Sequence, residues 1–498
     1  MRPCFQGLFE EEIGVDQFGG HVILHAPQPN TDSVHAHIEF VEFYYVGQAF
    51  RLGRYPIHFH LNGNMSGSYV RGCSFHRSFN RAVNIHGTHG VIVEQNVAYN
   101  IMGGAFFLED GIEQHNVFQY NLVLFVVASS SLQNDDNVPA AFWITNPSNV
   151  VQHNAVAGGT HFGFWYRMHE HPSGPSFTTA VCPQKMPVLT FYNNTVHSNG
   201  WFGLWVFQKF TPRDGGTCNS PTPKASLFSH LTAWNCEKGA EVVDGGSVLL
   251  KNFILVNNKL SGYEGKRIVE GSQVIENTLI VGHAPELTRT EQGCTRDGIK
   301  LPYGYGFHVK NVKFVNFDEN GCSAFGVTRI IGTCTVNCGG FSYTTEGLTF
   351  VNSPNRGHFF WAWEALITDM DGSLTSDGPS AAAEGKTVLP QTGTLPSTCV
   401  SIPAFSAGSV AAVACPSQLK FHRFTFNNVP RSLEGKNAIF TNDYGSSVQP
   451  FRLKAITHKN GWLIVFLDGM EYTMSFQDGP DFTNFTYNGR IDNFQVFE

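Results

Sequence analysis

The chain has 498 residues, of which 42% are hydrophobic and only 14% charged, with 51 Gly, 43 Phe and 21 His. About 25% charged is usual, so a disordered chain, a coiled coil or a long charged helix is excluded. The formal net charge of -8 argues against a general nucleic-acid binder, and no run of about 18 apolar residues exists to span a membrane.

The N-terminal stretch MRPCFQGLFEEE lacks the apolar core of a secretion signal. Residues 1–19 read as an edge segment, with the acidic run Phe9–Gly14 as its solvated part. From residue 20 the chain repeats itself. VRGCSFH, VEQNVAYN, EQHNVFQYN, VVQHNAVAG, FYNNTVHSN, FSHLTAWN, LKNFILVNN, VIENTLIVG and VKNVKFVNF are one unit, an apolar alternation ending in Asn or Gly. The shortest spacings are about 21 to 25 residues, and loop insertions account for the longer ones. This period with strand alternation predicts one coil of a parallel β-helix per unit, over residues 20–371. Asn at the corners tolerates left-handed backbone and can bond to the Asn of the next coil. Residues 372–398 are small, polar and Pro/Gly-rich, which predicts a linker or long loop. Residues 399–498 alternate between turns and predict a small antiparallel β domain. The expected fold is therefore all-β: a parallel β-helix followed by antiparallel strands.

A second register places chemistry on the solenoid. Within YPIHFH, RAVNIHG, GAFFLEDG, AAFWITN, FGFWYRMH and FGLWVFQK, the alternation assigns Ile57, Val83, Phe106, Phe142, Phe164 and Leu204 to the core. The opposite face then carries two columns. One reads His58, Asn84, Phe107, Trp143, Trp165, Trp205; the other reads His60, His86, Glu109, Thr145, Arg167, Phe207.

An open row of Phe107, Trp143, Trp165 and Trp205 offers faces on which sugar rings stack, so these are candidate ligand-binding residues. The other reading has insertions, such as the one after Met168, folding over the row to make a second core. Arg54, Arg77, Arg81 and Arg167 are candidates to receive a carboxylate or sulfate of a substrate. His58, His60, His86 and Glu109 converge if adjacent coils stack, and imidazoles with a carboxylate suit a divalent metal ion. His60, His86, Glu109 and Asp110 equally suit acid–base work on a glycosidic bond. A hydrogen-bonded polar ladder remains the plain alternative. Asp369 and Asp371, in DMDGS, read either as the start of a calcium loop or as a turn closing the solenoid.

The 11 cysteines form no CxxC pair. Cys399 with Cys415, and Cys182 with Cys218, lie in loop-like settings that suit disulfides. Asn64, Asn193 and Asn484 begin glycosylation sequons. Together these favour an extracellular chain over a cytosolic one with buried thiols.

GRYPIHFHLNG, NIHGTHG, FFLEDG, FWITNPSN, GFWYRMHEHPSGPS and DMDGSLT, in this order, resemble the β-helix region of fibrocystin and fibrocystin-like proteins. The cell-surface hyaluronidases and the hyaluronan-binding cell-migration-inducing protein share much of the pattern, over roughly residues 15 to 420. The resemblance implies a right-handed helix within the ectodomain of a large, glycosylated, membrane-anchored protein, of which this chain is a segment without its own span. Two functions follow from it as expectations. One is a receptor or scaffold binding glycan or extracellular protein along the solenoid. The other is a hyaluronan-depolymerising glycosidase.

Overall fold

The structure is a computed structural model that describes residues 4–6, 17–31, 34–49, 51–129, 137–287, 293–328, 341–359, 365–376, 384–405, 408, 410–427, 436–450, 463–477 and 488–493. Two compact units divide it: residues 1–263 with 285–291, and residues 264–284 with 292–498. Among the described residues, helix is limited to single 3-10 turns.

The first unit is a parallel β-helix. Three strands per coil each pair in parallel with their counterparts on neighbouring coils. On one side Ile57, Val83, Phe106, Phe142, Phe164, Leu204 and Ala240 are register partners in turn. All of them are fully buried. On a second side the column is Phe43, Phe75, Ala98, Val123, Val156, Val196 and Ala233. On the third it is Val70, Val93, Phe118, Val151 and Phe191. Every second residue of each strand thus enters one continuous core, at roughly 1.5–3 kcal/mol for each large side chain buried. Phe142 and Phe164 stack with centroids 4.9 Å apart, one coil step.

The corners explain the Asn-ended units. Gln95, Tyr120, His153 and Asn193 hold left-handed backbone, with φ between 51° and 57°. The residue after each is a buried Asn, and these stack as a ladder: Asn96, Asn121, Asn154, Asn194. Each of the first three donates its side-chain amide to the Oδ1 of the next Asn, at 3.0–3.1 Å. That Oδ1 also accepts the backbone N–H of the previous rung. The two tasks expected of one Asn are here divided between consecutive residues.

Parallel pairing begins with Cys4–Gln6 against Glu42–Tyr44, ahead of the expected start at residue 20. Disulfide Cys182–Cys218 ties the insertion that follows Phe162–Tyr166 to the one that follows Phe202–Phe210, with Cα atoms 5.2 Å apart.

The second unit continues the parallel pattern through Gln273–Glu276, Gly304–Lys310, Phe341–Glu346 and Leu366–Asp369. The direction then reverses. Lys386–Pro390 pairs antiparallel with both Leu366–Asp369 and Ala412–Pro416. This strand lies inside the stretch expected as linker. Its buried Val388 and Leu389 are a short apolar pair that the surrounding Gly, Pro and Ser mask in any composition window. Two small antiparallel sheets follow, centred on Phe421–Asn427 and Asn437–Asn442. Disulfide Cys399–Cys415 joins neighbouring antiparallel strands, and Cys294–Cys322 is a further bridge that the sequence did not reveal. Asp369 accepts the backbone N–H groups of Leu374 and Thr375, and Asp371 those of Gly347 and Ser373. DMDGS is thus a clasped turn, with its carboxylates committed to backbone.

Candidate functional site

The two outward columns exist in the expected register. Ile57–Asn64 pairs with Val83–His89 so that His58 lies opposite Asn84 and His60 opposite His86. The next coils set Phe107 against Asn84, then Trp143, Trp165 and Trp205 in turn. Ring centroids along this row are 4.8, 4.1 and 4.7 Å apart.

The row is not open: of the two expected readings the structure has the second core and not the sugar-stacking groove. Phe107, Trp143 and Trp165 are only 1%, 1% and 4% exposed. Phe162 and Phe202 pack with them as a second apolar cluster, and Trp205 is partly buried against it. The physical reason is the one that makes an exposed aromatic row costly: about 25 cal/mol per Å2 favours covering it. Trp205 ends the row by donating its indole N–H to Glu241 at 2.9 Å.

Three of the four arginines are likewise committed. Arg81 is buried, with its guanidinium 3.5 Å over the Phe107 ring. It also donates to Tyr55 and to Asn84 Oδ1. Arg81 therefore cannot meet a substrate carboxylate without unfolding its surroundings. Arg167 lies 5.6 and 5.8 Å from the Trp143 and Trp165 rings and bonds His169. Arg77 donates to the Tyr45 hydroxyl on another face. Arg54 is half-buried near His21, whose pKa it helps burial to lower.

A polar centre adjoins the aromatic row at its N-terminal end. One ring nitrogen from each of His58, His60 and His86 lies within 4.8 Å of the other two. His58 and His86 rings are parallel at 5.9 Å, and His60 meets both edge-on at 4.9 and 5.0 Å. Outer shells fix two of the rings. His58 Nδ1 bonds the Gly53 carbonyl at 3.0 Å, and His86 Nε2 bonds Asp110 Oδ2 at 2.8 Å. Gly53 has φ of +77°, and a Cβ there would reach the His58 ring at 3.6 Å. The positive φ alone makes a side chain at this position costly, since the ring distance is an ordinary contact. His58 Nε2 and His60 Nδ1 are buried without hydrogen-bond partners.

Glu109, expected as the fourth metal ligand, stands beside the three rings and not among them. Asn84 Nδ2 ties its Oε2 at 2.6 Å, leaving that oxygen 3.8 Å from His86 Nδ1 and 3.9 Å from Arg81. The carboxylate that accepts a hydrogen bond from His86 is that of Asp110, not Glu109. The insertion carrying Cys182 locks Asp110 from outside. Ser173 N–H donates to its carbonyl, Ser176 N–H to its Oδ2, and a Cβ on Gly174 would come within 2.8 Å of Oδ1. Glu113 was missed as a site residue. Its buried carboxylate accepts the N–H groups of Gly87, Asp110 and Gly111, which fixes the turn that aims Asp110. The Asp-Gly-x-Glu spacing of residues 110–113 was the available signal.

Electrostatics separates the three imidazoles. Burial pushes His58 down to about 3. Burial also lowers His60, aided by the neighbouring His86 and His25. Burial works against a charged His86, but the Asp110 hydrogen bond and the Glu109 and Asp110 charges outweigh it and raise its pKa. Burial pushes Glu113 up to about 7, against the N–H donors that hold it down. The centre therefore pairs a neutral acceptor, His58, with an imidazole held ready for a proton, His86. Such a set can bind a divalent cation or exchange a proton with a ligand. Of the sequons, Asn64 and Asn193 are exposed; Asn484 lies outside the described residues.

Residues 17–204 match the CEMIP beta-helix family. The chain is 47% identical to mouse Fibrocystin-L over 99% of its own length and 12% of that protein. It is 28% identical to mouse Fibrocystin, again over 99% of its own length and 12% of that protein. It is 31% identical to human Cell surface hyaluronidase CEMIP2 over 49% of this chain and 21% of that one. The chain thus spans about an eighth of the length of the fibrocystin relatives it matches. With its Asn-laddered coils and histidine centre, it is a fibrocystin-like β-helix region.

Proposed function

We propose that this region belongs to an extracellular, cell-surface protein, membrane-anchored as a whole, and serves there as a receptor or scaffold that binds glycan along the solenoid. Kinship to proteins named as hyaluronidases and fibrocystins supports the setting. The observation that carries the contact site is the contrast along one sheet face. The aromatic row is sealed, while His60 and Glu109 reach solvent above buried His58, His86, Arg81 and Asp110. A ligand approaching this face meets ionisable groups at that rim. Residues 20–371 supply the binding solenoid and 399–498 a supporting β domain, with glycans carried at the exposed Asn64 and Asn193.

A second reading rests on the His86–Asp110 pair. A protonatable imidazole oriented by a carboxylate, with Glu109 alongside, is the equipment of acid–base cleavage of a glycosidic bond. Incubating the chain with high-molecular-mass hyaluronan and measuring both retention and polymer size separates the two. Retention with unchanged size supports the scaffold; shortening of the polymer supports the glycosidase. Neither retention nor shortening, across hyaluronan, chondroitin sulfate and neutral glycans, would remove the glycan reading and leave a protein ligand.

A further inference from the structure

We propose that His58, His60 and His86 form a binding site for one divalent transition-metal ion of the zinc type, with a coordination position left open toward solvent. The proposal goes beyond glycan binding and does not depend on it.

The donor set is the first ground. Three imidazoles from two adjacent coils present one nitrogen each within 4.8 Å of the others. Zinc–nitrogen bonds of about 2.1 Å place tetrahedral nitrogens roughly 3.4 Å apart. Small ring rotations close the remaining gap without moving the backbone, whose register already pairs His60 with His86.

The second ground is what the other ring nitrogens do. Metal-bound histidines give their second N–H to a carbonyl or carboxylate, which fixes the ring and raises its basicity. His58 uses Nδ1 on the Gly53 carbonyl, and that leaves the lone pair of Nε2 for a ligand role. His86 uses Nε2 on Asp110, and that leaves Nδ1. Ser176 and Gly174 hold Asp110 in turn.

The third ground points to a ligand directly. His58 is only 3% exposed, yet its Nε2 has no hydrogen-bond partner. His60 Nδ1 is in the same condition. Two ring nitrogens of one three-histidine cluster are thus buried and unpaired together. His58 Nε2 is an acceptor, since the His58 proton goes to the Gly53 carbonyl, and no donor, His60 included, lies within hydrogen-bond reach of it, so bonding within the cluster leaves it unpaired. A cation shared by the three lone pairs does resolve it. Nitrogen donors without a hard oxygen cage select zinc-like ions over Ca2+ or Mg2+. The partly exposed His60 and Glu109 leave the outer side open to water or to a ligand oxygen.

The test is metal uptake by the folded chain, stripped with chelator and equilibrated with Zn2+, Co2+ or Ca2+. The expected result is one equivalent of Zn2+ or Co2+ per chain, the visible absorption of nitrogen-ligated Co2+, and no uptake of Ca2+ at the same concentration. His60→Gln, at a partly exposed position, should lose at least tenfold in affinity while keeping its circular dichroism and melting temperature. Asp110→Asn should weaken binding by about 10–100-fold through ring orientation alone. Folded wild-type chain that takes up no Zn2+ or Co2+ would overturn the site. So would His60→Gln and His58→Gln variants that both retain a full equivalent. Either result leaves glycan retention to be judged separately.

Discussion

His86 and Asp110 lie on adjacent coils, and the bond from His86 Nε2 to Asp110 Oδ2 is 2.8 Å long. It joins the sheet that carries the histidines to the insertion packed over them, because Ser176 donates to the same oxygen. The pair therefore couples one imidazole's proton to the position of a loop.

That coupling sets the first prediction. His86 has a raised pKa in the fold, so its contribution to stability is present below the unfolded pKa of about 6.5. It is lost as pH rises through the folded value. In Asp110→Asn the main raising contribution is gone and burial dominates. NMR titration of the His86 ring should then show a pKa below the unfolded value, not above it. An unchanged titration would mean that Glu109, not Asp110, governs this ring.

His58 has the opposite sign. Its folded pKa is pushed down to about 3. Its contribution is therefore full above about pH 6.5 and is lost as pH falls toward 3, with an upper bound on the order of 4–5 kcal/mol. His58→Gln keeps a polar group but cannot titrate. Denaturant melts should show the variant losing roughly 3 kcal/mol less than wild type between pH 6.5 and 4. Parallel pH profiles for the two proteins would contradict the buried neutral imidazole.

The Asn ladder is a stability device. Asn121→Ala would leave the Asn96 N–H, the Val93 carbonyl and the Asn154 Oδ1 each short of a partner. At about 1–3 kcal/mol for each buried group left unsatisfied, a loss of roughly 3 kcal/mol or more is expected. Asn100→Gly is the contrasting change. Asn100 is exposed with φ of 55°, where glycine is at ease, so the effect should stay within about 0.5 kcal/mol. Equal costs at the two positions would show that corner conformation, not the ladder, carries the energy.

The sealed aromatic row makes a prediction about function as well as stability. Trp143→Ala should cost about 3–5 kcal/mol, as for a large core side chain. Trp143→Phe, which keeps most of the packing, should retain glycan binding in full. A specific loss of glycan affinity in a stable Trp143→Phe variant would reinstate the stacking groove.

Much of this architecture is legible in residue order. Alternation around Ile57, Val83, Phe106 and Phe142 gives the core face, and a period of 2 then forces His58 and His60 to the other face together. The convergence of His60 with His86 follows from coil stacking alone. What stays hidden depends on side-chain contacts that the strand alternation does not specify. Exposure of the Phe107–Trp205 row is decided by Phe162 and Phe202, whose own strands read as core in the first register. Asp110 gains its role from Ser176 and Glu113, and Glu109 loses its own to Asn84. Of these contacts only Asp110 with Glu113 carries a sequence spacing, Asp-Gly-x-Glu. The strand at Lys386–Pro390 hides for a different reason, since its buried Val388 and Leu389 are too few to outweigh the Gly and Pro around them.

The most direct measurement is glycan retention by wild type and by a His60→Ala/Glu109→Gln double variant, with melting temperature recorded on the same samples. Both substitutions lie at the solvent-facing rim of the centre, so the fold should hold. The account predicts that wild type retains a glycan, and that the double variant loses at least tenfold in affinity with little change in melting temperature. Equal retention by both proteins, or loss of binding only in step with loss of stability, would contradict the histidine centre as the contact site of this β-helix.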